Sequence, residues 1–76
     1  MENSARKTFR NSMVNLADSY VKAYRREDYD TAARDYYRMV DAAKKMFSFK
    51  DITSIEFLRI MAVLKRYYNL LEKICE

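Results

Sequence analysis

The sequence predicts an all-α fold, a compact antiparallel bundle of three helices in one domain over residues 1–76, from three observations. Glycine and proline are both absent, although average usage of about 7% and 5% would place several of each in a chain this size. Apolar residues recur at helical spacing in three stretches, and two short breaks, the first of them polar, separate those stretches. The missing glycines disfavour tight primed hairpin turns and exclude Gly-rich phosphate loops. The two connections must therefore be short and made from Asp, Asn, Ser or Lys.

The first helix is expected over about 4–26. Phe9, Met13, Leu16, Tyr20, Ala23 and Tyr24 share one face, with Asn11, Asn15, Asp18, Lys22 and Arg25 opposite, and Asn3 or Ser4 is placed to cap it. Val14 and Val21 sit at the flank of the stripe beside Arg10, where a two-sided helix would be polar. They either touch the edge of the third helix or belong to a partner surface.

Arg26 to Asp30 form the first break, with Asp28 as N-cap and Asp30 in the first turn, where negative charge suits the helix dipole. The second helix runs over 29–47. Tyr29, Ala33, Tyr36, Val40, Ala43 and Phe47 alternate spacings of four and three, the rhythm of near-antiparallel packing, and Ala32, Met39 and Met46 widen the stripe. Asp30 to Arg34 and Asp41 to Lys45 are acid-first pairs on the wet side, of the kind worth about a few tenths of a kcal/mol.

After a second break at Ser48 to Ile52, the third helix is expected over 53–75. Thr53 and Glu56 have capping-box spacing, and Ile52 with Phe57 matches a hydrophobic staple. From Leu70 around to Met61 the apolar residues of this helix fill about half its circumference. Two helices are needed to cover such an arc, so the third helix is expected to wedge between the other two, with the stripe residues as core.

The chain carries a net charge of +4. Residues 1–26 hold six basic and two acidic groups, so the excess belongs to the first helix. Histidine is absent, which removes the commonest general base and metal ligand. The acids are expected on polar arcs, and the single Cys75 has no base beside it and a packing role. These features predict no enzyme activity, no metal and no cofactor. No apolar run approaches a membrane span or a signal-peptide core, so a cytoplasmic protein with no membrane association is expected.

Leu16-Ala17-Asp18-Ser19-Tyr20 followed by Asp28-Tyr29-Asp30-Thr31-Ala32 and Tyr36 resembles the helical hairpin of a tetratricopeptide repeat, over about residues 16–46. Ala32 and Tyr36 stand where that family packs its second helix on its first, and Glu27 stands where it usually has glycine. In a chain of three helices the same stretch resembles a microtubule-interacting-and-transport domain. Either resemblance implies a groove that binds a helix or peptide.

The expected function is that of a small protein-binding module, an adaptor or an inhibitor occupying a partner's surface, with self-association to a homodimer as an addition. The candidate contact residues are the apolar side chains that the stripes leave unexplained: Val14, Val21, Tyr37, Phe49 and Leu58. The alternative is a nucleic-acid-binding protein contacting phosphates through Arg6, Lys7, Arg10, Lys22, Arg25 and Arg26.

Overall fold

The computed structural model describes residues 4–74, and its elements are α1 (Ser4–Arg25), α2 (Tyr29–Ser48) and α3 (Ser54–Ile74), with no strand among the described residues. Each helix lies within one or two residues of its expected bounds. Asn3 and Cys75 lie outside the described residues, and Ser4 is already inside α1.

Local chemistry fixes the boundaries. Asp28 caps α2, its carboxylate accepting from the Thr31 N–H at 3.3 Å. Thr53 and Glu56 close a reciprocal capping box at the start of α3: the Glu56 N–H donates to Thr53 Oγ1 at 3.1 Å and the Thr53 N–H to Glu56 Oε1 at 3.0 Å. On the wet surface Asp41 meets Lys45 at 3.1 Å, whereas Asp30 and Arg34 do not close to an ion pair.

Both interhelical turns leave their helix through a left-handed residue. Glu27 has φ 62° and Lys50 φ 61°. Around the first, the Asp28 N–H reaches back to Ala23 O and the Glu27 N–H to Tyr24 O; around the second, Asp51 reaches Met46 O and Lys50 reaches Phe47 O. These are Schellman closures, a geometry that usually recruits glycine because a Cβ costs about 1–2 kcal/mol in that region. A chain without glycine bears that strain twice.

The core is a small cluster of Tyr20 and Ala23 from α1, Ala32 and Met39 from α2 and Leu64 from α3. Ala23 and Ala32 are fully buried and allow the α1 and α2 backbones to approach closely. No Cα of α1 comes within 8 Å of one in α3. The expectation of α3 wedged between the other two is thus corrected: α2 is the central helix, and α1 and α3 flank it. No backbone of one packs on the backbone of the other, because Tyr20 and Leu64 fill the space between them. α1 and α3 run parallel, since their starts meet at Arg6 and Glu56 and their later turns at Tyr20 and Tyr67. The bundle measures 42 × 19 × 14 Å.

Two further expectations need revision. Asp35 is not on a polar arc but 2% exposed, with no hydrogen-bond partner for its Oδ2. Ala32, Met39 and Ala43, all on the expected stripe of α2, are buried, and Asp35 is buried beside them at the widened edge of that stripe. The apolar arc of α3 is also incompletely covered. Leu64 alone is buried among its described residues, while Val63, Tyr68 and Leu70 are exposed.

Stability measurements test both sources of strain. Glu27→Gly and Lys50→Gly should each raise the unfolding free energy by about 0.5–1 kcal/mol, seen as a higher urea midpoint at unchanged slope. Asp35→Ala should add about 1 kcal/mol by removing an unsatisfied buried oxygen. A lower midpoint in these variants would contradict the assignments.

Candidate functional site

The face shared by α1 and α3 is shaped by its two ends. At one end the Arg6 guanidinium straddles the Glu56 carboxylate, with Nη2 at 2.6 Å from Oε2 and Nη1 at 3.3 Å from Oε1. Nη1 also donates to the Asp51 carbonyl at 3.0 Å, which ties α1 to the α2–α3 turn. Glu56 thus caps its own helix and anchors its neighbour with one carboxylate. The Arg6 hydrogen bonds foremost, then the Thr53 N–H, lower its pKa from the ordinary 4.5 to about 2. At the other end the buried Tyr20 hydroxyl donates to the Tyr67 carbonyl at 2.7 Å, and the two rings lie 4.6 Å apart. Burial, with smaller contributions from Tyr24, Tyr67 and Tyr36, pushes the Tyr20 phenol up to about 12.

Between these two clamps the helices stand apart and an apolar trough opens. Two adjoining hollows of about 270 and 240 Å³ run along it, sharing Met13, Val14 and Ile60 in their walls. Val14 on one side and Val63 on the other are 62% and 50% exposed, and Val21 and Leu70, seven residues farther along each helix and past the Tyr20–Tyr67 clamp, are exposed as well.

The five expected contact residues do not form one surface. Val14 borders this trough, and Val21 lies seven residues farther along α1, past the Tyr20 clamp. Tyr37, 64% exposed, lines a separate hollow between α2 and α3 with Tyr36 and Tyr68. Phe49 lies in the α2–α3 turn, and Leu58 is on the side of α3 turned away from the bundle, also exposed. Val63, Ile60 and Leu70 belong to the apolar arc of α3 that the sequence assigns to the core. The signal that marks them is the width of the α3 arc, which exceeds what α2 and a stand-off α1 can cover.

The expected phosphate-contacting residues are similarly divided. Arg6 is engaged by Glu56, Lys22 meets Asp18 at 2.9 Å and Arg26 meets Asp28 at 3.8 Å. Lys7, Arg10 and Arg25 are exposed along α1. Among the described residues no group of three His, Cys, Asp or Glu side chains converges, and no helix is long and apolar enough to cross a membrane.

The clamps make stability pH-dependent at both extremes. Glu56 holds its charge to lower pH in the fold than in the unfolded chain, so its contribution is complete above about 4.5 and is lost as pH falls toward 2. Tyr20 keeps its proton to higher pH in the fold, so stability falls as pH rises from 10 toward 12. In thermal melts across pH, Glu56→Gln should lower the neutral-pH midpoint and flatten the acid limb; an acid limb of unchanged steepness would contradict the first assignment. Tyr20→Phe should flatten the alkaline limb.

No family model matches the chain, and no curated protein or solved structure is similar to it.

Proposed function

We propose that this chain is a small non-catalytic protein-binding module, an adaptor or an inhibitor that occupies a partner's surface, and that the α1–α3 trough is its docking face. The observation that carries this reading is the apolar trough walled by Met13, Val14, Ala17, Ile60 and Val63, with Val14 and Val63 exposed at its rim. Exposed apolar groups that cluster over a concavity are the usual mark of an interaction site, whereas scattered ones are ordinary. The fold supplies the means: two helices clamped at both ends and held apart present a rigid, preformed groove, which lowers the ordering cost of binding.

The nucleic-acid alternative has less to support it. Three of the six cations assigned to it, Arg6, Lys22 and Arg26, are already held by carboxylates, and phosphate binding of the salt-sensitive kind needs several convergent cations.

The test is capture of a partner by the tagged chain from the lysate of its native host, with nuclease-treated and untreated arms at two salt concentrations. Val14→Asp combined with Val63→Asp should abolish capture of a stoichiometric protein with helicity intact by circular dichroism, while Tyr37→Asp, on the other face, should retain it. Capture that survives the paired trough substitutions, or recovery of nucleic acid alone, would overturn the reading.

A further inference from the structure

The chemistry of the occupant follows from the residue repeat along the groove, an inference that rests on the docking reading above. On α3 the groove-lining residues Ile60, Val63 and Tyr67 are spaced by three and four, and Leu70 and Ile74 continue that spacing past the Tyr67 clamp. A seven-residue period of this kind matches the seam of a left-handed coiled coil better than the 3.6-residue turn of an isolated helix. On the opposite wall Val14 and Ala17 line the groove, and Val21 continues their spacing past the Tyr20 clamp. The central positions of this double seam are exposed at Val14 and Val63, so the seam lacks the helix that would cover it.

The flanks are not alike. Arg59, Arg66 and Lys73 each immediately precede a seam residue of α3 and recur every seven residues, forming one exposed basic row. None of the three takes part in an ion pair among the described residues. The acid nearest the α3 seam, Glu56, is engaged by Arg6. Along the outer flank of α1 stand Asn11, Asp18 and Arg25, with Asp18 held by Lys22, so that side is mixed. In coiled-coil packing such flanking positions choose the partner by charge.

We infer that the groove takes one amphipathic helix of another protein, with apolar residues in heptad spacing and Asp or Glu along the edge facing α3, completing a four-helix bundle. The clamps at Arg6 and Tyr20 are about 21 Å apart at 1.5 Å per helical residue, room for roughly two heptads of the incoming helix. A second copy of this chain is a poorer occupant, because pairing about the α3 seam would set like-charged rows against each other.

The experiment is a selection from a displayed library of helical peptides about three heptads long, with Leu fixed at the seam positions and Glu, Gln or Lys allowed at the flanks, panned against the folded full chain. Glu should be enriched about tenfold over Lys along one edge, and the selected peptide should shift the amide signals of Val14 and Val63. Arg59→Glu with Arg66→Glu, both on the exposed flank, should reverse the preference to Lys; Arg59→Gln with Arg66→Gln should erase it. Selection without charge preference that is still blocked by Val14→Asp with Val63→Asp would overturn the acidic assignment and leave the docking face standing. Selection indifferent to those two substitutions would overturn the face itself. Failure to select any peptide, together with salt-sensitive binding of a DNA duplex or a dimer in sedimentation that Val63→Asp dissolves, would replace the helix with that other occupant.

Discussion

The spacing of the helices is the constraint from which the other features follow, and it is set by side-chain size. Ala23 and Ala32 are fully buried where α1 meets α2, so those backbones come close. Tyr20 and Leu64 fill the region between α1 and α3, so those backbones stay more than 8 Å apart at every Cα. That one asymmetry makes α2 central, keeps the backbones of α1 and α3 from packing on each other, and opens a trough where a tighter bundle would have closed. The Arg6–Glu56 pair and the Tyr20–Tyr67 hydrogen bond then hold the gap at a fixed width.

A bundle built this way has little stability in reserve. A chain of this size buries only about 60% of the surface its unfolded form exposes. Here the apolar arc of α3 is covered on one side only, two turns hold non-glycine residues in left-handed backbone, and Asp35 occupies a buried position with an unsatisfied oxygen. Hydrophobic burial contributes about 25 cal/mol per Å², so a helix seated over Val14 and Val63 would supply part of what the isolated core lacks. Under the docking reading, binding and stability are linked: a partner that engages only the folded chain raises its apparent stability by mass action.

What was legible in the sequence was what short-range chemistry determines. The Thr53–Glu56 capping box, the Asp28 cap and the two breaks each depend on residues within a few positions of one another, and they fixed the helices to within one or two residues. Which helix sits in the middle depends on residues far apart in sequence. The half-apolar arc of α3 was read as evidence for a central position, because a wide arc needs two neighbours; instead one neighbour is close and the other held off, so part of the arc stays exposed. Asp35 escaped notice for a related reason. The buried side of α2 keeps Ala32, Met39 and Ala43 of the expected stripe but takes in Asp35 at its edge, and residue type alone does not say how far past that edge burial extends. Within the candidate site, Val14 stood out as off-pattern, but Val63 did not, since a residue on a wide apolar arc announces nothing about which of its neighbours will be present.

The same off-pattern logic bears on the charges. An excess of +4 concentrated in residues 1–26 drew attention to α1, yet the cations of α1 are the ones most drawn into pairs, with Glu56 and Asp18 among their partners. The basic row that borders the trough belongs to α3, whose share of the net charge is small because Glu56 and Glu72 offset it. Neither acid stands in the row: Glu56 faces Arg6, and Glu72 accepts from the Tyr68 hydroxyl on the α2 side. Net charge by segment therefore understates the field over the groove, which depends on which side of a helix each charge occupies. A row of cations beside an apolar trough is poorly matched to a phosphate backbone, which offers the trough nothing to cover it. It is well matched to a helix carrying leucine-like residues on one face and carboxylates on the adjoining edge, because such a helix satisfies the seam and the row at once.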